Sequence, residues 1–118
     1  VQEARLALAM CRAMKVLCVA TDRQVLTDVK RAAVSAEWEL APGAITEDDA
    51  LAQLEAEQPH VVVVFGEFEA LVSRAREGRP YLRIVCDRDL PGATVVVGRP
   101  EEIRDALRAL PRPGGPVR

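Results

Sequence analysis

A run of five apolar residues, Val61 to Phe65, constrains the fold of this chain more than any other feature of its sequence. The four valines are β-branched, which favours an extended backbone, and the run has no polar residue to place toward water. Strands of this kind are buried on both faces, as in parallel sheets that are covered by helices. The sequence therefore predicts a central buried strand, which Gly66 ends.

Other apolar runs alternate with segments of helical periodicity along the rest of the chain. Further strands are expected at residues 16–20, 38–40, 81–86 and 94–97. Helices are expected at residues 23–35, at 47–58 after a Thr46 N-cap, at about 67–77, and at 100–110. This alternation implies right-handed crossovers and a mostly parallel sheet with helices on both faces. We therefore predict an α/β fold with a doubly wound, five-stranded sheet.

The link between the last two predicted strands is unusually short. Only residues 87–91 separate Cys86 from Gly92. A helical crossover between parallel strands takes a dozen or more residues. We therefore expect the fourth helix of the fold to be missing.

Composition fits a single domain and excludes several classes of protein. The chain has 118 residues, of which 49% are apolar and 29% are charged, as in a globular domain with one core. A net charge of −2 provides no basic surface for nucleic acid, and no apolar run reaches the roughly 20 residues that span a membrane. The widely spaced Cys11, Cys18 and Cys86 form neither a disulfide framework nor a zinc site, which indicates a reducing, cytoplasmic setting.

The two ends of the chain lie outside the predicted domain, which spans residues 14–110. Residues 1–13 are expected to be an extension to the domain, and their Ala and Leu content favours a helix. Residues 111–118 are rich in Pro and Gly and are expected to form a flexible tail.

Three segments together resemble the receiver domain of two-component response regulators. Residues 16–22 look like the first strand of that family, residues 46–65 like its second helix and third strand, and residues 92–100 like its fifth strand and the proline that follows. The resemblance implies flavodoxin-like topology and a role in bacterial-type signalling. It also implies phosphoryl transfer to an aspartate at the end of the third strand, with a divalent metal beside it.

The residues that would carry this chemistry are replaced. Phe65 stands at the position of the phosphoacceptor aspartate, and Ala20 and Thr21 stand at the metal-binding acidic pair. Arg99 replaces the lysine, and the hydroxyl residue of the fourth strand falls on Val85 or Cys86. Because the reaction needs a carboxylate nucleophile and oxygen ligands for the metal, we interpret the chain as a degenerate receiver that is not an enzyme and uses no metal or cofactor.

The carboxyl ends of the predicted strands define a crevice, the usual ligand site of an open α/β sheet. Its residues are Ala20, Thr21, Asp22, Gly66, Cys86, Asp87 and Arg99. The two aspartates fit a metal or small-ligand site, although a solvated acidic rim is the simpler interpretation. Arg99 fits an anion site, but an ion pair with Asp22 or Asp87 is favoured.

Two further groups of polar residues have simple structural interpretations. Arg74, Arg76 and Arg79 alternate with acidic residues, which is typical of a solvated helix face. His60 precedes the central strand and is expected at the surface.

The sequence is consistent with two functions of different kinds. The first is a non-catalytic regulatory protein that binds a protein partner or a second copy of itself without phosphorylation, and it predicts a crevice filled by Phe65. The second is a small-ligand-binding domain, which predicts an open crevice with converging polar groups. An enzyme of another type is less favoured because no acid–base or nucleophile pattern occurs.

The missing helix also predicts where a partner would bind. A five-residue link cannot cover either face of the last two strands, and large open apolar patches often mark interaction sites. The expected interaction surface comprises Leu82, Ile84, Val95 and Val97, which would bind a second copy of the chain or a protein partner. Coverage of the same surface by residues 1–13 is the simpler alternative.

Overall fold

The computed structural model describes residues 14–79 and 82–110, and within these ranges five strands form one sheet. The strands are β1 (Met14–Ala20), β2 (Trp38–Leu40), β3 (Val61–Phe65), β4 (Arg83–Cys86) and β5 (Val95–Val96). Their order is β2-β1-β3-β4-β5, and every neighbouring pair is parallel. The predicted five-stranded α/β fold is confirmed, and the sheet is entirely parallel. The predicted extension at residues 1–13, the predicted tail at 111–118 and the predicted strand start at Tyr81 lie outside the described residues.

Helices cover both faces of the sheet. In the described part of the chain they are α1 (Arg23–Ala33), α2 (Glu47–Glu57), α3 (Glu69–Arg76) and α4 (Ile103–Ala109). Helices α1 and α4 share one apolar cluster with the sheet, which we call the α1/α4 face, and α2 and α3 share another, the α2/α3 face. None of these helices has the length and hydrophobicity that crossing a bilayer requires.

Short polar side chains set the starts of the first two helices. The Asp22 carboxylate accepts a hydrogen bond from the Val25 N–H at 2.9 Å, and the Thr46 hydroxyl accepts one from the Asp49 N–H at 3.2 Å. Each bond satisfies a backbone donor that has no partner inside its helix. The predicted Thr46 cap is therefore confirmed, and Asp22 acts in the same way at α1.

The β4–β5 link, residues 87–94, contains no helix. The Ala93 N–H donates to the Leu90 carbonyl at 3.0 Å and closes a turn around Pro91 and Gly92. Gly92 has a φ of 95°, which a type II turn requires at its third position and which glycine adopts without strain. The expected absence of the fourth helix agrees with the four helices of the described residues.

The expectation of an open surface at Leu82, Ile84, Val95 and Val97 is wrong. Leu82 and Ile84 are buried on the α2/α3 face, whereas Val97 is buried on the α1/α4 face and Val95 packs against the same face. The parallel register sets Val95 beside Val85, so the two pairs project to opposite sides of the sheet. Among the described large apolar side chains near this edge, Val96 is exposed, at 50%.

Candidate functional site

The carboxyl ends of β1 and β3 bring Ala20 and Phe65 together. These two residues end their strands and are register partners across the parallel pair. Phe65 is only 7% exposed, and it belongs to the apolar cluster of the α1/α4 face together with Ala20, Val97 and Ile103. The last residue of the central strand is thus part of the core and carries no nucleophilic atom.

The Thr21 side chain, which follows β1, lies close to Gly66, which follows β3. A Cβ atom built on Gly66 would lie 2.5 Å from Thr21 Cγ2 and 3.0 Å from Phe68 Cε2. Gly66 is buried and has a φ of 136°, a conformation that side-chain-bearing residues rarely adopt. The glycine therefore lets the Thr21 and Phe68 side chains close over the end of β3.

Asp87 joins the ends of β3 and β4. Its carboxylate accepts a hydrogen bond from the Gly66 N–H at 3.1 Å, and its own N–H donates to the Val64 carbonyl at 3.1 Å. Both carboxylate oxygens also accept hydrogen bonds from Arg88, at 3.1 and 3.2 Å. The hydrogen bond and charge of Asp87 raise the pKa of Arg88. Asp87 therefore has the role of a structural acceptor whose charge is balanced locally.

Arg99 does not form the expected ion pair. Asp22 caps α1 and Asp87 pairs with Arg88, and the Arg99 side chain makes no ion pair within the described residues. The expectation fails because Arg99 is exposed just before a 3-10 turn, Pro100–Glu102. There the Glu102 carboxylate accepts hydrogen bonds from the Gly98 and Arg99 N–H groups, at 2.5 and 3.4 Å.

Cys86 belongs to the core and its side chain is closed off from the crevice. It is fully buried on the α2/α3 face. Burial, reinforced by the negative charge of Asp87, raises the pKa of the Cys86 thiol to about 11. Since the thiolate is the reactive form, both the burial and the raised pKa disfavour reaction of Cys86 near neutral pH.

Solved structures that align with this chain include receiver domains. The CheY-like response regulator receiver domain from Methanospirillum hungatei aligns with a TM-score of 0.67 and 17% identity, over 81% of this chain and 91% of that chain. The signal receiver domain of an HD domain-containing protein from Pseudomonas fluorescens aligns with a TM-score of 0.69 and 18% identity, over 82% and 93%. An orphan response regulator of H. pylori aligns with a TM-score of 0.67 and 12% identity, over 83% and 96%. The chain has the fold of a response-regulator receiver domain. No protein-family model matches the sequence, and neither does any curated protein.

In this fold, the residues of the predicted crevice lie at or just after the carboxyl ends of the strands. Phe65 ends the central strand, while Ala20 is buried at the end of β1 and Thr21 follows it. Of the two aspartates, Asp22 and Asp87, one caps a helix and the other holds a loop. The described residues contain no cluster of three or more His, Cys, Asp or Glu side chains arranged to hold a metal ion.

Two cavities lie away from the crevice. One, of about 460 Å³, lies near the amino ends of β3 and β4 and is lined in part by His60, Arg79 and Leu82. The other, of about 280 Å³, lies between α3 and the β4–β5 link. Neither is lined by a residue of the predicted crevice.

Arg76 is the polar residue whose role the sequence did not reveal. It was expected on a solvated face with Arg74 and Arg79, but it is partly buried and its guanidinium donates to the Leu82 carbonyl and to the β4–β5 link. Arg79 also differs from the expectation, since its guanidinium donates to the Ala75 and Glu77 carbonyls and to the Glu55 carboxylate, whereas Arg74 is exposed as expected. The charge pattern of the sequence does not specify these partners.

Proposed function

We propose that this chain is a receiver-like regulatory domain that acts through protein–protein interaction, independently of phosphorylation. The observation that supports this proposal most strongly is the burial of Phe65 at the end of the central strand. In the receiver family that the sequence resembles, this position holds the aspartate that accepts the phosphoryl group. A phenyl ring cannot act as a nucleophile, and its place in the core leaves the carboxyl end of the sheet packed.

The remaining carboxylates of the crevice support the same conclusion. Asp87 is engaged by the Gly66 N–H and by Arg88, and Asp22 is engaged as a helix cap. A Mg²⁺ ion requires near-octahedral oxygen ligands, usually including one or two carboxylates. Ala20 and Thr21 supply no carboxylate where the receiver family has its acidic pair.

A small-ligand site at the crevice receives less support. Ala20, Phe65 and Cys86 are buried, and the Thr21 side chain lies against Gly66. Ligand pockets are usually concave and mostly preformed, with a few converging polar groups. The two cavities described above lie elsewhere.

The proposed setting is cytoplasmic two-component signalling of bacterial type, with a protein partner or a second copy of the chain as the binding counterpart. The fold of the structural neighbours supports the signalling role. The free, buried Cys18 and Cys86 fit a reducing compartment. Nucleic acid is not among the proposed partners, since the net charge is −2.

Phosphorylation independence can be tested with a small-molecule phosphodonor and Mg²⁺. Intact-mass measurement is expected to show no added phosphoryl group on the full chain, and none on the Phe65→Asp variant, because the acidic pair is still missing. Sedimentation velocity is expected to give the same distribution of species with and without the donor. An aspartyl phosphate on Asp22 or Asp87, or a change in assembly that requires the donor, would overturn the proposal.

A further inference from the structure

The β4–β5 link occupies the place where a crossover helix would cover the α2/α3 face of the sheet. Leu90 and Ala93 of the link pack partly buried against this face. Beneath it, Ile84 and Cys86 are fully buried, while Val96 of the next strand remains half exposed. A short segment with two apolar contacts thus protects part of the core that a helix would otherwise cover.

The Arg76 side chain of α3 holds the link by hydrogen bonds. The Arg76 guanidinium donates from Nη2 to the Gly92 carbonyl at 2.5 Å and to the Thr94 hydroxyl at 3.4 Å. From Nη1 it donates to the carbonyl of Leu82, just before β4. A guanidinium suits this task because it presents five N–H donors in a rigid plane. Arg76 therefore ties α3 both to the link and to the start of β4.

Thr94 extends the attachment to β4 itself. Its N–H donates to the Ile84 carbonyl at 2.7 Å, and its hydroxyl oxygen accepts from the Ile84 N–H at 3.0 Å. The same hydroxyl contacts Arg76. The end of the link is thus held by Arg76 and, independently, by two hydrogen bonds to Ile84 of β4.

A groove of about 280 Å³ separates part of the link from α3, and it is lined by Glu69, Val72, Ser73 and Arg76 on the helix and by Pro91 and Gly92 on the link. Most of these residues are exposed, so the groove lies at the surface. The Arg76 guanidinium contacts the link at Gly92, and the partly buried Leu90 and Ala93 add apolar contacts with the sheet. The closed position of the link therefore combines the hydrogen bonds of one arginine with a small apolar contact.

We propose that the β4–β5 link is a strap that opens as a unit, and that Arg76 is the latch that holds it closed over Ile84 and Cys86. The start of the strap stays anchored, because the Asp87 N–H and carboxylate bond to Val64 and Gly66. Opening separates Leu90 and Ala93 from the α2/α3 face and leaves the rest of the sheet intact. This inference concerns a conformational device and does not rest on the proposed function.

Thiol labelling of the full chain tests the latch. In a Cys11→Ser background, a maleimide reports on Cys86 under the strap and on Cys18, which is buried on the α1/α4 face and reports on opening of the whole domain. Arg76→Gln is expected to accelerate labelling of Cys86 by about tenfold or more, since hydrogen bonds to charged groups contribute that much or more to stability. Labelling of Cys18 is expected to change little.

Arg74→Gln is the matched control. Arg74 lies on the same helix, is exposed, and has an ion pair with Glu47 at 3.6 Å. This variant is expected to leave labelling of both cysteines unchanged. Equal acceleration of Cys18 and Cys86 in Arg76→Gln, or no acceleration of Cys86, would overturn the proposal.

Native-state hydrogen exchange on the unaltered chain provides a test that requires no variant. The amides of Ala93 and Thr94, whose acceptors are Leu90 and Ile84, are expected to exchange at least about tenfold faster than that of Val63 in the central strand, as local opening predicts. Exchange of all three amides at one common rate would show that the strap opens only when the domain unfolds, and the proposal would be wrong.

Discussion

The Asp87 carboxylate accepts a hydrogen bond from the backbone N–H of Gly66 at 3.1 Å, across the carboxyl ends of β4 and β3. Gly66 is buried, so this bond satisfies a donor that water does not reach. The side chain that the sequence suggested for a metal or ligand site thus fixes the loop after the central strand.

Replacing Asp87 is expected to destabilise the fold. Asp87→Ala leaves the buried Gly66 N–H without its acceptor, which costs about 1–3 kcal/mol in the free energy of unfolding. Asp87→Asn retains an amide oxygen as acceptor and is expected to cost less. Asp89→Ala is the control, because Asp89 is exposed on the same link, and its effect is expected within about 0.5 kcal/mol. Urea denaturation of the three variants measures these values, and equal stability of Asp87→Ala and Asp89→Ala would contradict the structural role.

Gly66→Ala is expected to be more harmful than Gly78→Ala. Both positions have positive φ, 136° and 72°, and such strain costs about 1–3 kcal/mol for a residue with a side chain. At Gly78 an added Cβ meets nothing within 4 Å, whereas at Gly66 it lies 2.5 Å from Thr21 Cγ2. The difference between the two variants therefore reports the steric clash together with the greater backbone strain at the φ of Gly66.

The clash at Gly66 can be relieved by shortening the Thr21 side chain. Thr21→Ser removes the methyl group that the new Cβ would contact. The double variant is expected to recover part of the stability that Gly66→Ala loses, as measured by a double-mutant cycle in urea. Strict additivity of the two substitutions would show that Thr21 does not close over Gly66.

The strands and helices were predictable because their signals are local. The run from Val61 to Phe65, the Thr46 cap and the short link after Cys86 each determine structure through neighbouring residues alone. The buried position of Phe65 follows from the same apolar run. These features are enough to place the sheet, its helices and the missing fourth helix.

Side-chain partners across elements were not predictable in this way. Which face Val95 and Val97 share depends on the register between β4 and β5, and the sequence of β5 alone does not contain that register. The partners of Asp87 and Arg76 lie 21 and 16 residues away, at Gly66 and Gly92. Both contacts depend on how separate elements approach each other in the folded chain, so Arg76 was wrongly expected on a solvated face. The expected Arg99 ion pair was wrong because Asp22 caps α1 and Asp87 pairs with Arg88.

His60 is expected to make stability depend on pH. Its Nδ1 accepts a hydrogen bond from the Lys15 N–H at 3.0 Å, which only the neutral ring can do. Burial, and then the charge of Lys15, lower the pKa of His60 below 6.5. The unfolded chain therefore binds more protons than the folded chain below that pH. The contribution of His60 to the free energy of unfolding is therefore fully present above pH 6.5, and it is lost as the pH falls through the folded-state pKa.

The single histidine makes this measurement unambiguous. An NMR titration of its ring protons is expected to give a pKa below 6.5 in the folded chain. His60→Gln removes the titrating ring, so the loss of stability between about pH 7.5 and pH 5 is expected to be smaller in this variant. A His60 pKa above 6.5, or identical pH dependence in both proteins, would contradict the prediction.

The same substitution at two adjacent valines, Val96 and Val97, is expected to change the free energy of unfolding by very different amounts. Val97 is 5% exposed on the α1/α4 face, in the cluster of Ile103 and Leu107, whereas Val96 is 50% exposed. Val97→Arg would place an unpaired charge in the core and is expected to cost more than about 3 kcal/mol or to prevent folding. Val96→Arg is expected to change the free energy of unfolding by no more than about 0.5 kcal/mol, because an exposed arginine keeps its hydration. Thermal melting and size-exclusion chromatography of the two variants check the register directly. A folded, stable Val97→Arg together with an unfolded Val96→Arg would mean that β5 pairs with β4 one residue out of the register described here.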